Sequence, residues 1–206
     1  VIDSGPDFRY QMLRAGVQDL DAIVYTHEHK DHVAGLDDIR PFNYLLKKDI
    51  EIYASERVQQ ALRKEFSYIF ADTNYFGLPK INMHTIENDP FNIGSTTIIP
   101  IEVMHYKLPV LGFRINDFTY LTDAKTVSAA SLNKIKGSKV LVVNALQRED
   151  HISHFTLAEA IAFAKKAGAE RTYFTHISHN MGLHEAIEAE LPPGIFLAYD
   201  GLSFEL

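Results

Sequence analysis

The chain has 206 residues, of which 46% are hydrophobic and 23% charged, as in a folded domain with one sizeable core. The formal net charge of −7 argues against an extended nucleic-acid surface, because such a surface needs a basic stripe. The absence of Cys excludes disulfides and thiolate zinc sites in this stretch, so any metal must bind histidine nitrogen and carboxylate oxygen. No apolar run approaches the roughly 20 residues that span a bilayer. We therefore expect a cytoplasmic protein without a membrane partner.

The predicted elements alternate between strands and helices at both ends of the chain, with antiparallel hairpins between. We predict strands at 1–3, 20–26, 51–54, 81–86, 96–104, 111–115, 118–122, 139–145, 171–175, 196–198 and 202–204. We predict helices at 7–15, 55–70, 126–134, 156–168 and 184–190, the fourth opened by a capping box of Thr156 and Glu159. This order predicts an α/β fold with sheets inside and helices outside. Without a linker or repeat, we expect a single domain over 1–206.

The strongest functional signal is a run of four ligand-type side chains directly after the strand at 20–26. His27, His29, Asp31 and His32 form the pattern H-x-H-x-D-H. The first two histidines are two residues apart, so in an extended turn they point the same way, and the last two residues lie where the chain turns into a helix. Imidazole and carboxylate suit zinc, manganese or iron. The alternative is a solvated polar loop with clustered histidines.

Three more ligand-type residues each follow the end of a predicted strand, where the sites of α/β folds gather. They are His105, Asp123 and His176. Taken singly, they fit a loop histidine, a helix cap and a surface histidine. Taken together with the H-x-H-x-D-H loop, they predict one metal site built from seven side chains.

This combination resembles the metallo-β-lactamase superfamily of binuclear hydrolases, over nearly the whole chain from Ile2 to Gly201. The resemblance implies an αββα sandwich that lacks the family's first strands, so we expect an N-terminal segment to be missing here. It also implies that one metal binds His27, His29 and His105, the second binds Asp31, His32 and His176, and Asp123 bridges them. Antibiotic-hydrolysing members have Cys where Asp123 stands, so the chain is more similar to the other hydrolase branches.

A closer resemblance is to the phosphoribosyl cyclic phosphate phosphodiesterases, with ribonuclease Z more distant. It is carried by four segments: Gly5-Pro6-Asp7-Phe8, residues 35–43, Ser153-His154-Phe155-Thr156 and Thr175-His176-Ile177-Ser178-His179. That match implies a catalytic histidine, not a metal ligand, at His154. Asp31 and His154 are therefore the candidate catalytic residues, with His154 as general acid for the leaving oxygen. The alternative for His154 is a structural loop histidine.

We therefore expect a hydrolase with two divalent metal ions, zinc or manganese or both, with iron as an alternative. A hydroxide that bridges the ions would attack a small or cyclic phosphodiester, an anionic substrate that the metal charge attracts. One alternative is a hydrolase of a carboxyl ester, lactone or thioester, and another is a non-catalytic metal-binding or nucleic-acid-binding module. The sequence leaves open the exact substrate, the metals, the oligomeric state and any Cys zinc loop in a preceding segment.

Overall fold

The chain folds as two units, Val1–Glu87 and Asn88–Leu206, each with its own sheet and apolar core. This computed structural model describes residues 1–72 and 75–206. Within those ranges no helix combines the length and the apolar character that crossing a bilayer demands. The single domain over 1–206 stays a prediction.

The first unit is built on a parallel sheet of three strands in the order β1-β2-β3. The strands are β1 (Ala22–Val24), β2 (Ile50–Ala54) and β3 (Ile81–Thr85). Parallel neighbours need crossover connections, and here these carry the helices that follow β1. The helices of this unit are α1 (Phe8–Ala15), α2 (Lys30–Val33), α3 (Arg40–Leu46) and α4 (Glu56–Glu65), with 3₁₀ turns at Leu36–Ile39 and Ser67–Phe70.

Local sequence signals explain where two of these helices begin and end. Gly16 adopts a left-handed φ of 63° just after α1, a conformation that glycine enters without strain. Ser55 caps α4 by accepting a hydrogen bond from the Val58 amide at 3.4 Å. The helix predicted over 55–70 is interrupted at Phe66, which packs in the core. The 3₁₀ turn that follows lets the Tyr68 hydroxyl donate to Asp37 at 2.8 Å.

The second unit contains a mixed sheet of seven strands in the order β10-β9-β8-β7-β6-β5-β4. The pairs from β10 to β7 are parallel and the pairs from β7 to β4 are antiparallel. The strands are β4 (Phe91–Ile93), β5 (Thr96–His105), β6 (Leu108–Ile115), β7 (Phe118–Tyr120), β8 (Val140–Asn144), β9 (Arg171–Thr175) and β10 (Ile195–Leu197). The helices are α5 (Ala129–Ile135), α6 (Leu157–Ala167) and α7 (His184–Glu188). The mixed α/β class is as predicted.

Two details of this sheet differ from the sequence-based prediction. The strand predicted at 202–204 is wrong: Phe204 instead stacks on Tyr173, with ring centroids 5.3 Å apart, so aromatic packing replaces ladder hydrogen bonds. Strand β4 was not predicted. The capping box at Thr156 and Glu159 is confirmed in full. The sheet places His105 at the end of β5, Asp123 three residues beyond β7 and His176 directly after β9.

Candidate functional site

In the first unit, the loop after β1 brings its ligand-type side chains together. His27 is fully buried, and its Nε2 lies 3.0 Å from Nδ1 of His29. The rings of His27 and His32 are 4.1 Å apart at their centroids. Asp31 and His32 lie in the single-turn helix α2, with Oδ2 of Asp31 3.3 Å from Nε2 of His32. The predicted clustering of these four residues within the unit is thus present.

A buried carboxylate that sequence reasoning missed orients this loop. Oδ2 of Asp3 lies 2.7 Å from Nδ1 of His32, and both carboxylate oxygens accept hydrogen bonds from Thr26 at 2.8 Å. Burial raises the pKa of Asp3, while the contacts with His32 and Thr26 lower it. A carboxylate on Nδ1 directs Nε2 of the same ring to the opposite side, as in carboxylate–histidine–metal arrangements. The available signal was an aspartate in the turn Asp3-Ser4-Gly5.

The backbone of that turn packs directly against α2. The Ser4 amide donates to the His32 carbonyl at 2.8 Å, and the Gly35 amide donates to the Ser4 carbonyl at 2.8 Å. A Cβ atom on Gly5 would lie 2.5 Å from the carbonyl oxygen of Asp31, so only glycine permits this approach. The turn therefore fixes the backbone that carries Asp31 and His32.

In the second unit, the three predicted ligands lie at strand ends, two of them on strained backbone. Asp123 and His176 both have φ of 55°, a region that non-glycine residues rarely occupy and that recurs at functional sites. Oδ1 of Asp123 is 3.5 Å from Nε2 of His176. Nδ1 of His105 lies 3.0 Å from the Ser153 carbonyl, so it acts as the donor and Nε2 is left as the basic nitrogen.

Buried polar partners hold Asp123 in place. Its Oδ2 accepts a hydrogen bond from the Thr122 hydroxyl at 2.6 Å. Asn144, at the end of β8, accepts from the Ala124 amide at 2.7 Å and donates to the Ala124 carbonyl at 3.0 Å. Asp123 itself is only 2% exposed. The Asp123 carboxylate is therefore buried and fixed in orientation. Burying a charged carboxylate costs free energy unless a cation or a hydrogen-bond donor lies next to it.

His154 lies among the predicted ligands of the second unit. Its ring centroid is 4.5 Å from that of His105 and 4.9 Å from that of His176. Its Nδ1 is buried, is 3.7 Å from Oδ1 of Asp123 and makes no hydrogen bond within the described part of the chain. His105, Asp123 and His154 can each offer one ligand atom, all within 4.8 Å of one another. Position alone therefore leaves His154 suited to metal binding as well as to acid catalysis.

The environment of His154 keeps its ring neutral in the metal-free protein. Burial lowers its pKa to about 4, Asp123 opposes this shift, and three neighbouring histidines reinforce it. The three neighbours are His176, His105 and His151. A neutral imidazole can bind a metal ion or accept a proton, which a permanently charged ring cannot.

The donor atoms fit divalent metal ions in both units. Histidine nitrogen and carboxylate oxygen are the ligands that zinc, manganese and iron share. The Nδ1 contacts of His32 with Asp3 and of His105 with a carbonyl are the outer contacts that fix ligand tautomers.

Comparison with known proteins decides the family. The family model described as the beta-lactamase superfamily domain matches residues 1–177. The chain belongs to this superfamily. A structure described as a new diphosphatase from the PhnP family is 39% identical, with a TM-score of 0.90, over 100% of this chain and 79% of that chain. The metallo-β-lactamase type of fold and the resemblance to this superfamily, whose members are generally hydrolases, are thus confirmed.

Two further relatives qualify that picture. An octanoyltransferase of Porphyromonas gingivalis is 37% identical over 204 residues, which are 98% of this chain but only 41% of that protein. The chain therefore spans less than half the length of this relative. Zn²⁺-bound PqqB from Methylobacterium extorquens shares the fold, with a TM-score of 0.77 at 17% identity, over 100% of this chain and 82% of that chain.

Proposed function

We propose that this superfamily member is a metal-dependent phosphodiesterase that acts on a small or cyclic phosphodiester with two divalent ions. The proposed ligands are His27, His29, Asp31, His32, His105, Asp123 and His176. The observation that carries the proposal is the orientation of the ligand histidines in each unit. Asp3 engages Nδ1 of His32, and the Ser153 carbonyl engages Nδ1 of His105, which directs Nε2 of each ring away from these partners.

Charge favours an anionic phosphodiester as the substrate. When bound, the ions would acidify a water molecule and neutralise phosphoryl oxygens. Two divalent cations outweigh the carboxylates of Asp31 and Asp123, so the site would attract a monoanion although the whole chain carries −7. Asp31 is exposed, and we assign to it the binding of one ion next to the substrate. Zinc, manganese or both are the proposed ions, with iron as the alternative.

We assign to His154 the transfer of a proton to the leaving oxygen. In the metal-free protein the pKa of His154 is about 4, so its imidazolium is scarce at pH 7. Two bound cations would lower this pKa further, whereas the negative charge of a bound phosphodiester next to the ring would raise it and increase the protonated fraction. The imidazolium is a strong acid once formed. If His154 instead binds metal, replacing it with Asn will lower the metal content of the protein as well as its turnover.

The relatives support this chemistry over its main rival. The diphosphatase, at 39% identity over the whole chain, acts at phosphorus according to its name. The octanoyltransferase name points to acyl chemistry, but 59% of that protein lies outside the match, as the 41% coverage implies. Hydrolysis of a carboxyl ester, lactone or thioester is therefore the second candidate function.

The deciding experiment combines metal analysis with a substrate panel. Purified protein is expected to contain about two divalent ions per chain and to hydrolyse bis-p-nitrophenyl phosphate and small cyclic phosphodiesters. Chelation should abolish turnover, and added Zn²⁺ or Mn²⁺ should restore it. Faster turnover of p-nitrophenyl octanoate, a lactone or a thioester would favour the second candidate. Metal binding without turnover of any of these substrates would leave a non-catalytic metal-binding module.

A further inference from the structure

Lys125 lies two residues after Asp123 and is largely buried for a lysine, with 19% of its side chain exposed. Its Nζ donates to both carboxylate oxygens of Glu159, each at 2.9 Å, and to Oδ1 of Asp150 at 3.2 Å. A partly buried ammonium group with three oxygen acceptors is held in one position. This side chain contacts neither Asp123 nor His154 in the structure as described, so its role must be indirect.

The backbone around Lys125 joins two segments that carry proposed site residues. The Lys125 amide donates to the Met104 carbonyl at 2.8 Å, directly before His105. The Phe155 amide, directly after His154, donates to the Ala124 carbonyl at 2.8 Å. Residues 124 and 125 are therefore hydrogen-bonded to the residue before His105 and to the residue after His154.

The two carboxylates held by Lys125 bracket the segment that carries His154. Asp150 precedes His151, and Glu159 closes the capping box of α6 by accepting from the Thr156 amide at 2.8 Å. The first and last residues of the segment 150–159 thus both accept hydrogen bonds from Nζ of Lys125. Without that group, the contact of His105 with the Ser153 carbonyl, backbone hydrogen bonds and local packing would be left to fix the segment relative to Asp123.

We propose that Lys125 is a positioning residue, whose ammonium group sets the place of His154 relative to Asp123 and His105. The inference rests on the proposed function for its kinetic consequence, but the position of the ring is measurable without turnover. Lys125→Met keeps most of the side-chain length and removes the charge. Glu159 then retains the capping box, and Asp150 turns to solvent, so we expect the fold to persist while the segment 150–159 moves.

The same unit offers a matched control. Lys139 forms an ion pair with Asp117 at 2.8 Å, and its side chain is 50% exposed. Neither residue has a role in the proposed site, so Lys139→Met removes an equivalent charge without affecting His154. Lys125→Arg keeps the cation and can still reach both carboxylates. Asp150→Asn removes one contact at an exposed position and replaces Lys125→Met if that variant does not fold.

The experiment uses the full chain loaded with Zn²⁺. For the wild type and the four variants, we would measure bound zinc, kcat and KM for bis-p-nitrophenyl phosphate, and the imidazole ¹⁵N and ¹H shifts of His154. We expect Lys125→Met to bind zinc normally and to lose about tenfold to a hundredfold in kcat, with KM within about twofold, because misplacing a catalytic group by about 1 Å costs that much. The His154 signals should move in Lys125→Met and less in Asp150→Asn, should return toward wild type in Lys125→Arg, and should not move in Lys139→Met.

The outcomes separate this inference from the proposed function. If the wild type hydrolyses the phosphodiester, and Lys125→Met has the same kcat and the same His154 signals as the wild type, the positioning role of Lys125 is overturned. The proposed function would stand in that case. A wild type without phosphodiester turnover would overturn the proposed function, and the His154 signals would still decide the positioning role. Equal effects in Lys125→Met and Lys139→Met would also reject that role, because they would reflect loss of any lysine ion pair.

Discussion

The two units arrange their ligand-type side chains in opposite ways. In the first, four lie within six consecutive residues, and one buried carboxylate, Asp3, engages the last of them. In the second, they lie at the end of β5 and on the loops that follow β7 and β9, so the register of a seven-stranded sheet sets their spacing. Local contacts thus fix the positions of the ligands in the first unit, and the strand register of the sheet fixes them in the second. A substitution that disturbs the ligand positions in one unit should leave those in the other unit unchanged.

The largest expected effect comes from Asp123, the ligand proposed for both ions. Asp123→Asn keeps the shape and removes the charge, and we expect loss of at least one bound ion and about a thousandfold or more of phosphodiester turnover. Metal analysis and kcat/KM measure these effects. Asp117→Asn, an exposed aspartate of the same unit, is the control and should behave as wild type. Full metal content and near-normal turnover in Asp123→Asn would remove this residue from the site.

The next effect tests local order in the first unit. Asp3→Asn weakens the contact that fixes His32, and loss of such an outer contact lowers metal affinity by about tenfold to a hundredfold. Competition with a fluorescent zinc chelator measures this affinity. Asp19→Asn, an exposed aspartate near Lys48 in the same unit, should leave it unchanged. If Asp3→Asn also leaves it unchanged, the local loop does not depend on this carboxylate.

The matching test in the second unit concerns Asn144. Asn144→Ala leaves the buried amide of Ala124 without its partner, and we expect a loss of about 2–3 kcal/mol in the free energy of unfolding. Urea denaturation of the metal-free protein measures it. Asn43→Ala removes three backbone hydrogen bonds at the surface of the first unit, two to the carbonyls of Lys48 and Lys80 and one from the Lys80 amide, and should cost less than about 1 kcal/mol. Equal losses would show that burial does not distinguish these two side chains.

A smaller effect follows from the low pKa of His154 in the metal-free protein. Its pKa is about 4 in the folded state and about 6.5 when unfolded, so the unfolded chain binds more protons between these values. The contribution of neutral His154 to the free energy of unfolding is therefore fully present above pH 6.5. This contribution falls as the pH drops toward 4, and about 2 kcal/mol of it is lost at pH 5. His154→Asn should show a shallower loss of unfolding free energy over this range. His179→Asn, on an exposed residue, should follow the wild type, and a His154→Asn profile identical to the wild type would contradict the assigned environment.

The contrast between the units also explains what the sequence could predict. The H-x-H-x-D-H loop can be recognised in the sequence because its members are close together. The other three ligands can be recognised because each follows a β-prone run; they are His105, Asp123 and His176. Asp3 escaped notice because its partner His32 is 29 residues away, and no local pattern reports that contact. The closeness of His154 to Asp123 likewise depends on which loops the sheet brings together. The strand predicted at 202–204 is wrong because alternating apolar and polar residues predict an extended chain and do not report its pairing. Phe204 stacks on Tyr173, and residues 202–204 form no strand hydrogen bonds.

The smallest expected effect concerns the two members of the H-x-H-x-D-H loop that have no proposed ligand role. Glu28 and Lys30 form ion pairs with Arg57 and Glu65, one at each end of α4. The side chains of Lys30 and Glu65 are 66% and 44% exposed, so solvent screens that pair. The Glu28 side chain is only 23% exposed and the Arg57 Nε atom is buried, so solvent screens the second pair less. We expect Arg57→Gln to change zinc affinity by less than about threefold, because neither Arg57 nor Glu28 has a ligand role, and Glu65→Gln to leave it unchanged, because an exposed pair contributes below about 1 kcal/mol. A tenfold loss in Arg57→Gln, in the same chelator competition, would mean that α4 orders the loop as much as Asp3 does.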